Sequence, residues 1–148
     1  MDAQLSYREA AARGASPVKL VVLLYEQALE DLGHALAALE KGEIEARTRR
    51  INHAIVVIGQ LHASLDLEQG GEVARNLERF YELVRRGLMA AQFQQSARAL
   101  QEQISHLLLV RDAWLEVERA TLTPDTAASE RASASAASAG GNLSDWSA

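Results

Sequence analysis

The chain has 148 residues, no cysteine, two prolines and a formal charge of −5 at neutral pH. That length suits one domain around one core. The lack of cysteine excludes a disulfide framework and thiolate chemistry, and the acidic balance gives a nucleic-acid partner no basic footprint. Ala, Leu, Glu, Gln and Arg dominate, all good helix residues. Pro17 and Pro124 bracket the stretch that reads as folded, because a helix interior excludes proline. The apolar run from Val18 to Leu24 contains Lys19 and is far too short to span a bilayer. The N-terminus carries Asp2 and no basic region before an apolar segment, which is unlike a signal peptide. A soluble cytoplasmic protein is expected.

Residues 1–14 read as a leader whose large apolar groups are Leu5 and Tyr7, ended by Gly14. Ser16 then offers an N-cap oxygen and Pro17 suits the first helical position, where a missing N–H costs nothing. The first helix is predicted from Pro17 to Lys41 with Gly42 as its stop. Leu20, Val21, Leu24, Ala28, Leu32, Ala35, Leu36 and Leu39 follow the three-four spacing of a buried stripe. The second helix starts near Glu43. Ile44, Ile51, Ile58 and Leu65 recur at heptad intervals, with Ala54, Ile55 and Leu61 between them. Val56 and Val57 widen that stripe beyond one packed face, which fits either a second apolar surface or a deeply buried helix.

Gly70-Gly71 marks a turn. The third helix places Val73, Ala74, Leu77, Phe80, Tyr81, Val84, Leu88 and Ala91 on one side. The fourth, from about Ser96 to Thr121, uses Leu100, Ile104, Leu107, Leu108, Trp114, Leu115 and Val117, with Trp114 as its expected core anchor. Four helices of similar length with short connections predict an all-α antiparallel four-helix bundle over residues 15–122. Residues 123–148 are rich in Ala and Ser. So little large apolar surface does not offset the entropy of ordering, and a disordered tail is expected, with Trp146 inert as lone tail aromatics usually are.

No motif points to catalysis, cofactor or metal. A di-iron bundle needs two Glu-x-x-His pairs, and the nearest match is the single Asp31-x-x-His34. Glu30 with His34 and Glu102 with His106 read as surface pairs four apart. Arg47, Arg49 and Arg50 stand among Glu43 and Glu45 and read as a solvated face rather than an anion patch. Gly33, Gly59 and Gly87 interrupt helices at about 1 kcal/mol each. They mark either close approach of another helix or an exposed face.

Several strings together resemble the flagellar secretion chaperone FliS family, over about residues 5–120. These are Tyr7 in the leader; Ala15-Ser16-Pro17; Leu24-Tyr25-Glu26 with Ala28; Leu65-Asp66 followed by Gly70-Gly71-Glu72; Ala74, Asn76 and Leu77 ahead of Tyr81; and Asp112 with Trp114. The chain departs from the family pattern at Gln27, Gly87 and Gln92, where glycine, arginine and asparagine are common. The resemblance implies a non-enzymatic cytoplasmic chaperone. It would hold the disordered C-terminal segment of flagellin in apolar grooves, prevent premature polymerisation and aid delivery to a flagellar export gate component. Some relatives also resemble binders of an anti-sigma factor or a co-chaperone. The leader would cover part of the groove in the free state. On that basis Tyr7, Leu24, Tyr25, Val56, Val57, Ile58, Leu61, Leu77 and Tyr81 are the expected partner-binding residues. The alternatives are a self-assembling helical subunit and a metal-binding bundle.

Overall fold

The structure, a computed structural model, describes Glu9 and residues 13–121. Tyr7 and the tail with Trp146 lie outside the described residues. Four helices follow one another: α1 (Pro17–Lys41), α2 (Ile44–Ala63), α3 (Gly71–Gln94) and α4 (Ala97–Thr121). No helix among the described residues is long and apolar enough to cross a membrane.

Local chemistry sets the ends. Ser16 accepts a hydrogen bond from the Lys19 amide at 3.1 Å, and Pro17 opens α1. Gly42 adopts a left-handed conformation and its amide returns to Ala38 and Leu39. Only Gly42 and Glu43 separate α1 from α2, and only Gln95 and Ser96 separate α3 from α4, so each pair is a tight antiparallel hairpin. Ser64 through Gly70 join the two hairpins. There the Asp66 carboxylate accepts from the Glu68 and Gln69 amides, and the Gly70 amide donates to the Asp66 carbonyl at 2.8 Å. A Cβ on Gly70 would lie 2.6 Å from that carbonyl oxygen, and Gly71 has φ 56°, so both glycines answer a geometric demand.

α1 packs most extensively on α2 and also on α4, while α3 packs on α2 and α4. The cyclic order is therefore α1, α2, α3, α4, with α1 and α3 facing one another across a diagonal. The core contains Leu24, Tyr25, Ala28 and Leu32 of α1, Ile51, Val57, Ile58 and Leu61 of α2, Leu77, Phe80, Tyr81, Val84 and Leu88 of α3, and Leu100, Leu107 and Val110 of α4. Each large apolar side chain buried in this way contributes about 1.5–3 kcal/mol.

Several residues depart from the predicted stripes, Ile44, Leu108 and Trp114 among them. Ile44 is 60% exposed, because the first turn of α2 projects past the end of the core. Leu108 is also exposed, since Leu107 and Val110 already occupy the inward arc of α4. Trp114 is half-buried rather than enclosed: its ring packs against the edge of the core from the last turns of α4.

Candidate functional site

The diagonal is closed by a buried tyrosine pair. Tyr25 donates its hydroxyl proton to the Tyr81 hydroxyl at 3.0 Å, and the rings lie 6.3 Å apart. Burial pushes the Tyr25 hydroxyl well above the usual tyrosine range, and the neighbouring Tyr81 adds to this. Burial also raises Tyr81, with the bond from Tyr25 pulling it partly back. The Trp114 indole N–H is buried with no hydrogen-bond partner by geometry among the described residues, yet it lies close enough to Tyr25 to favour its ionised form. Tyr25 and Tyr81, expected among the partner-binding residues, and Trp114, expected as the core anchor of the fourth helix, meet at one place.

Polar groups line the seams between neighbouring helices. In the α1–α2 seam the fully buried Asp31 carboxylate accepts from Arg50 at 3.2 Å, from His53 Nδ1 at 2.5 Å and from Gln27 at 3.3 Å. In the α2–α3 seam the buried Arg47 donates Nε to the Gln92 amide oxygen at 3.2 Å, and Gln92 donates its amide to Thr48 at 2.6 Å. Further along, Arg85 donates to His62 Nδ1 at 2.5 Å, so neutral His62 carries its proton on Nε2 and donates it to Glu78 at 3.1 Å. In the α3–α4 seam Gln103 packs on Gly87. Arg47 and Arg50 thus leave the solvated face expected for the arginine cluster, and Arg49 alone of the three is exposed. Burial lowers the pKa of His106, and Glu102, one turn before it, partly restores it.

His62, Glu78 and Glu82 place one potential ligand atom each within 4.8 Å of one another. The hydrogen bonds oppose a metal there. A cation on His62 Nε2 needs the imidazole proton on Nδ1, the atom that already accepts from Arg85.

Of the expected partner-binding residues, Val56 points outward and is 54% exposed. Leu24, Tyr25, Val57, Ile58, Leu61, Leu77 and Tyr81 are buried, and Tyr7 lies outside the described residues. Of the two valines that widen the α2 stripe, Val57 packs in the core and Val56 faces solvent. Other large apolar groups reach solvent instead: Leu67, Met89, Phe93, Leu108 and Leu109. Met89 and Phe93 went unremarked in the sequence because they lie off the buried stripe of α3. Their signal was a second heptad series, Glu82, Arg86, Met89 and Phe93, on the opposite side of that helix.

The described residues thus form an all-α four-helix bundle with polar seams and several large apolar side chains on its outer helix faces. The profile of the flagellar protein FliS matches residues 1–121, and the chain belongs to that family. It is 35% identical over 110 residues to the flagellar secretion chaperone FliS of Salmonella typhimurium, covering 74% of this chain and 82% of the relative. It is 38% identical over 106 residues to the flagellar secretion chaperone FliSB of Pseudomonas aeruginosa, covering 72% and 84%. The flagellar secretion chaperone FliS of Vibrio cholerae is 29% identical over 117 residues, covering 79% and 81%.

Proposed function

We propose that this chain is a cytoplasmic flagellar export chaperone that binds the C-terminal segment of flagellin, prevents its premature polymerisation and hands it to a component of the export gate. The observation that carries this reading is the family match over residues 1–121, together with relatives named as flagellar secretion chaperones. The physical form of binding is helix-in-groove: a segment without structure of its own folds as it lays apolar side chains along the bundle. Val56 is open to such a segment. Leu24, Tyr25, Val57, Ile58, Leu61, Leu77 and Tyr81 form the floor beneath the grooves and set their shape. Tyr7, in the leader, competes for the groove. An anti-sigma factor or co-chaperone would use a surface of the same kind.

Calorimetry with a flagellin C-terminal peptide tests this on the full chain and on a chain lacking residues 1–14. Binding should carry a negative heat-capacity change, because roughly 1,000–3,000 Å² is buried as the peptide folds. The two chains should differ in affinity. No binding by either chain overturns the reading, and equal affinity removes the leader from it.

A further inference from the structure

The outer face of α3 carries a feature that the bundle does not use. Glu82, Arg86, Met89 and Phe93 follow one another at heptad spacing on the side away from the core, and all four are exposed, Phe93 at 89%. Glu82, Arg85, Arg86 and Met89 line a shallow depression. The face thus offers the exposed Arg86, with Glu82 one turn before it, beside two large apolar side chains one turn apart, while the half-buried Arg85 at its edge already donates to His62. Its complement is a short segment with an acidic group next to an aromatic one.

The sequence beyond α4 contains such a segment. After Leu122 the only large apolar residues are Leu143 and Trp146, and Asp145 stands between them. Residues 126–142 are mostly Ala, Ser, Thr and Gly. We propose that Leu143 to Trp146 docks on the outer face of α3 in the same molecule, with Trp146 against Met89 and Arg86 and with Asp145 facing Arg86. A guanidinium over an indole face adds a cation–π contribution.

Reach favours this occupant. α3 and α4 run antiparallel through a two-residue connection, so Thr121 lies level with the start of α3. Met89 is 18 residues along α3 from Gly71, about 27 Å at 1.5 Å per residue. A linker of this composition spans roughly 5–6 Å times the square root of its length, hence about 23–28 Å over the 22 residues from Thr121 to Leu143. That reach is of the order of the axial distance to Met89, the regime in which an intramolecular site has a high effective concentration. The leader is a poorer occupant. Leu5 and Tyr7 lie only ten and eight residues before Ala15, a reach of about 14–19 Å, and they start from α1, the corner diagonal to α3. The proposal does not depend on the partner read above.

The chain has two methionines, Met1 and Met89, so methyl-labelled methionine gives two signals and one of them reports on this face. In the full-length protein the Met89 methyl should be displaced upfield by the indole ring. Ending the chain at residue 139, or the substitutions Trp146→Ala or Arg86→Glu in the full chain, should return it to one common position. The displacement should not change on dilution. An unchanged Met89 signal in the shortened chain overturns the proposal. So does a displacement that disappears on dilution, which would assign the face to a second copy.

Discussion

The side chain of Gln103 rests on the bare α-carbon of Gly87. A Cβ at position 87 would come within 2.2 Å of Gln103 Nε2 and 2.5 Å of its Cδ. Gln103 is buried and its Oε1 has no hydrogen-bond partner among the described residues. Gly87 is therefore the gap that lets a long polar side chain lie in the α3–α4 seam. Gly33 and Gly59 meet nothing comparable.

Gly87→Ala should show strong coupling to Gln103. In a Gln103→Ala background it should stabilise the bundle by about 1 kcal/mol, the ordinary helix-propensity gain. In the native background the clash should erase or reverse that gain. A double-mutant cycle by urea unfolding measures the difference, expected at about 1–2 kcal/mol. Additive effects would show that Gln103 swings away freely.

The Tyr25–Tyr81 pair makes stability sensitive to alkali. Both hydroxyls are held above their unfolded pKa of about 10, so the unfolded chain ionises first. Their contribution is intact below about pH 10 and is lost as pH rises towards the folded values. Each tyrosine adds a downward slope of about 1.4 kcal/mol per pH unit. Tyr25→Phe should lower stability at pH 7 by about 1–3 kcal/mol, because the Tyr81 oxygen loses its buried donor. It should also make the alkaline decline shallower. Unfolding curves between pH 7 and 11 read both effects.

Asp31 should matter through its partners. Arg50→Ala leaves a fully buried carboxylate with only His53 and Gln27 as described partners, and it should destabilise the bundle. Adding Asp31→Asn should recover part of the loss, since a neutral amide costs less to bury than an underpaired carboxylate. A double variant no more stable than Arg50→Ala alone would show that the charge of Asp31 is not the source of the loss. Thermal melts of the single and double variants check this.

Gln95 closes α3 with φ 53°, a conformation that costs a non-glycine residue about 1–2 kcal/mol. Gln95→Gly should raise stability by about 1 kcal/mol, the left-handed strain relieved less the added entropy of the unfolded chain. A Tm that falls instead would mean that the Gln95 side chain supports the turn.

Helix ends were legible in the sequence because their causes are local: Ser16, Pro17 and Gly42 act within one turn, and α1 begins and ends where they place it. The apolar stripes were legible for the same reason. The seams were not. Whether Asp31 faces water or Arg50 depends on which helix lies alongside, and no spacing within α1 contains that information. The same limit applies to Val57, whose burial depends on the helix lying alongside and not on the spacing within α2. Gln27, Gly87 and Gln92 likewise meet Asp31, Gln103 and Arg47, contacts that helix spacing did not announce.

The two-residue connections have a kinetic consequence. With α1 joined to α2, and α3 to α4, by the shortest possible links, much of the packing forms between segments close together along the chain. Topologies of this kind close small loops first and fold in microseconds to milliseconds. The α1–α2 hairpin, which holds the most extensive contacts, is complete once residue 63 has left the ribosome. Half of the bundle can therefore assemble co-translationally before the second hairpin is made.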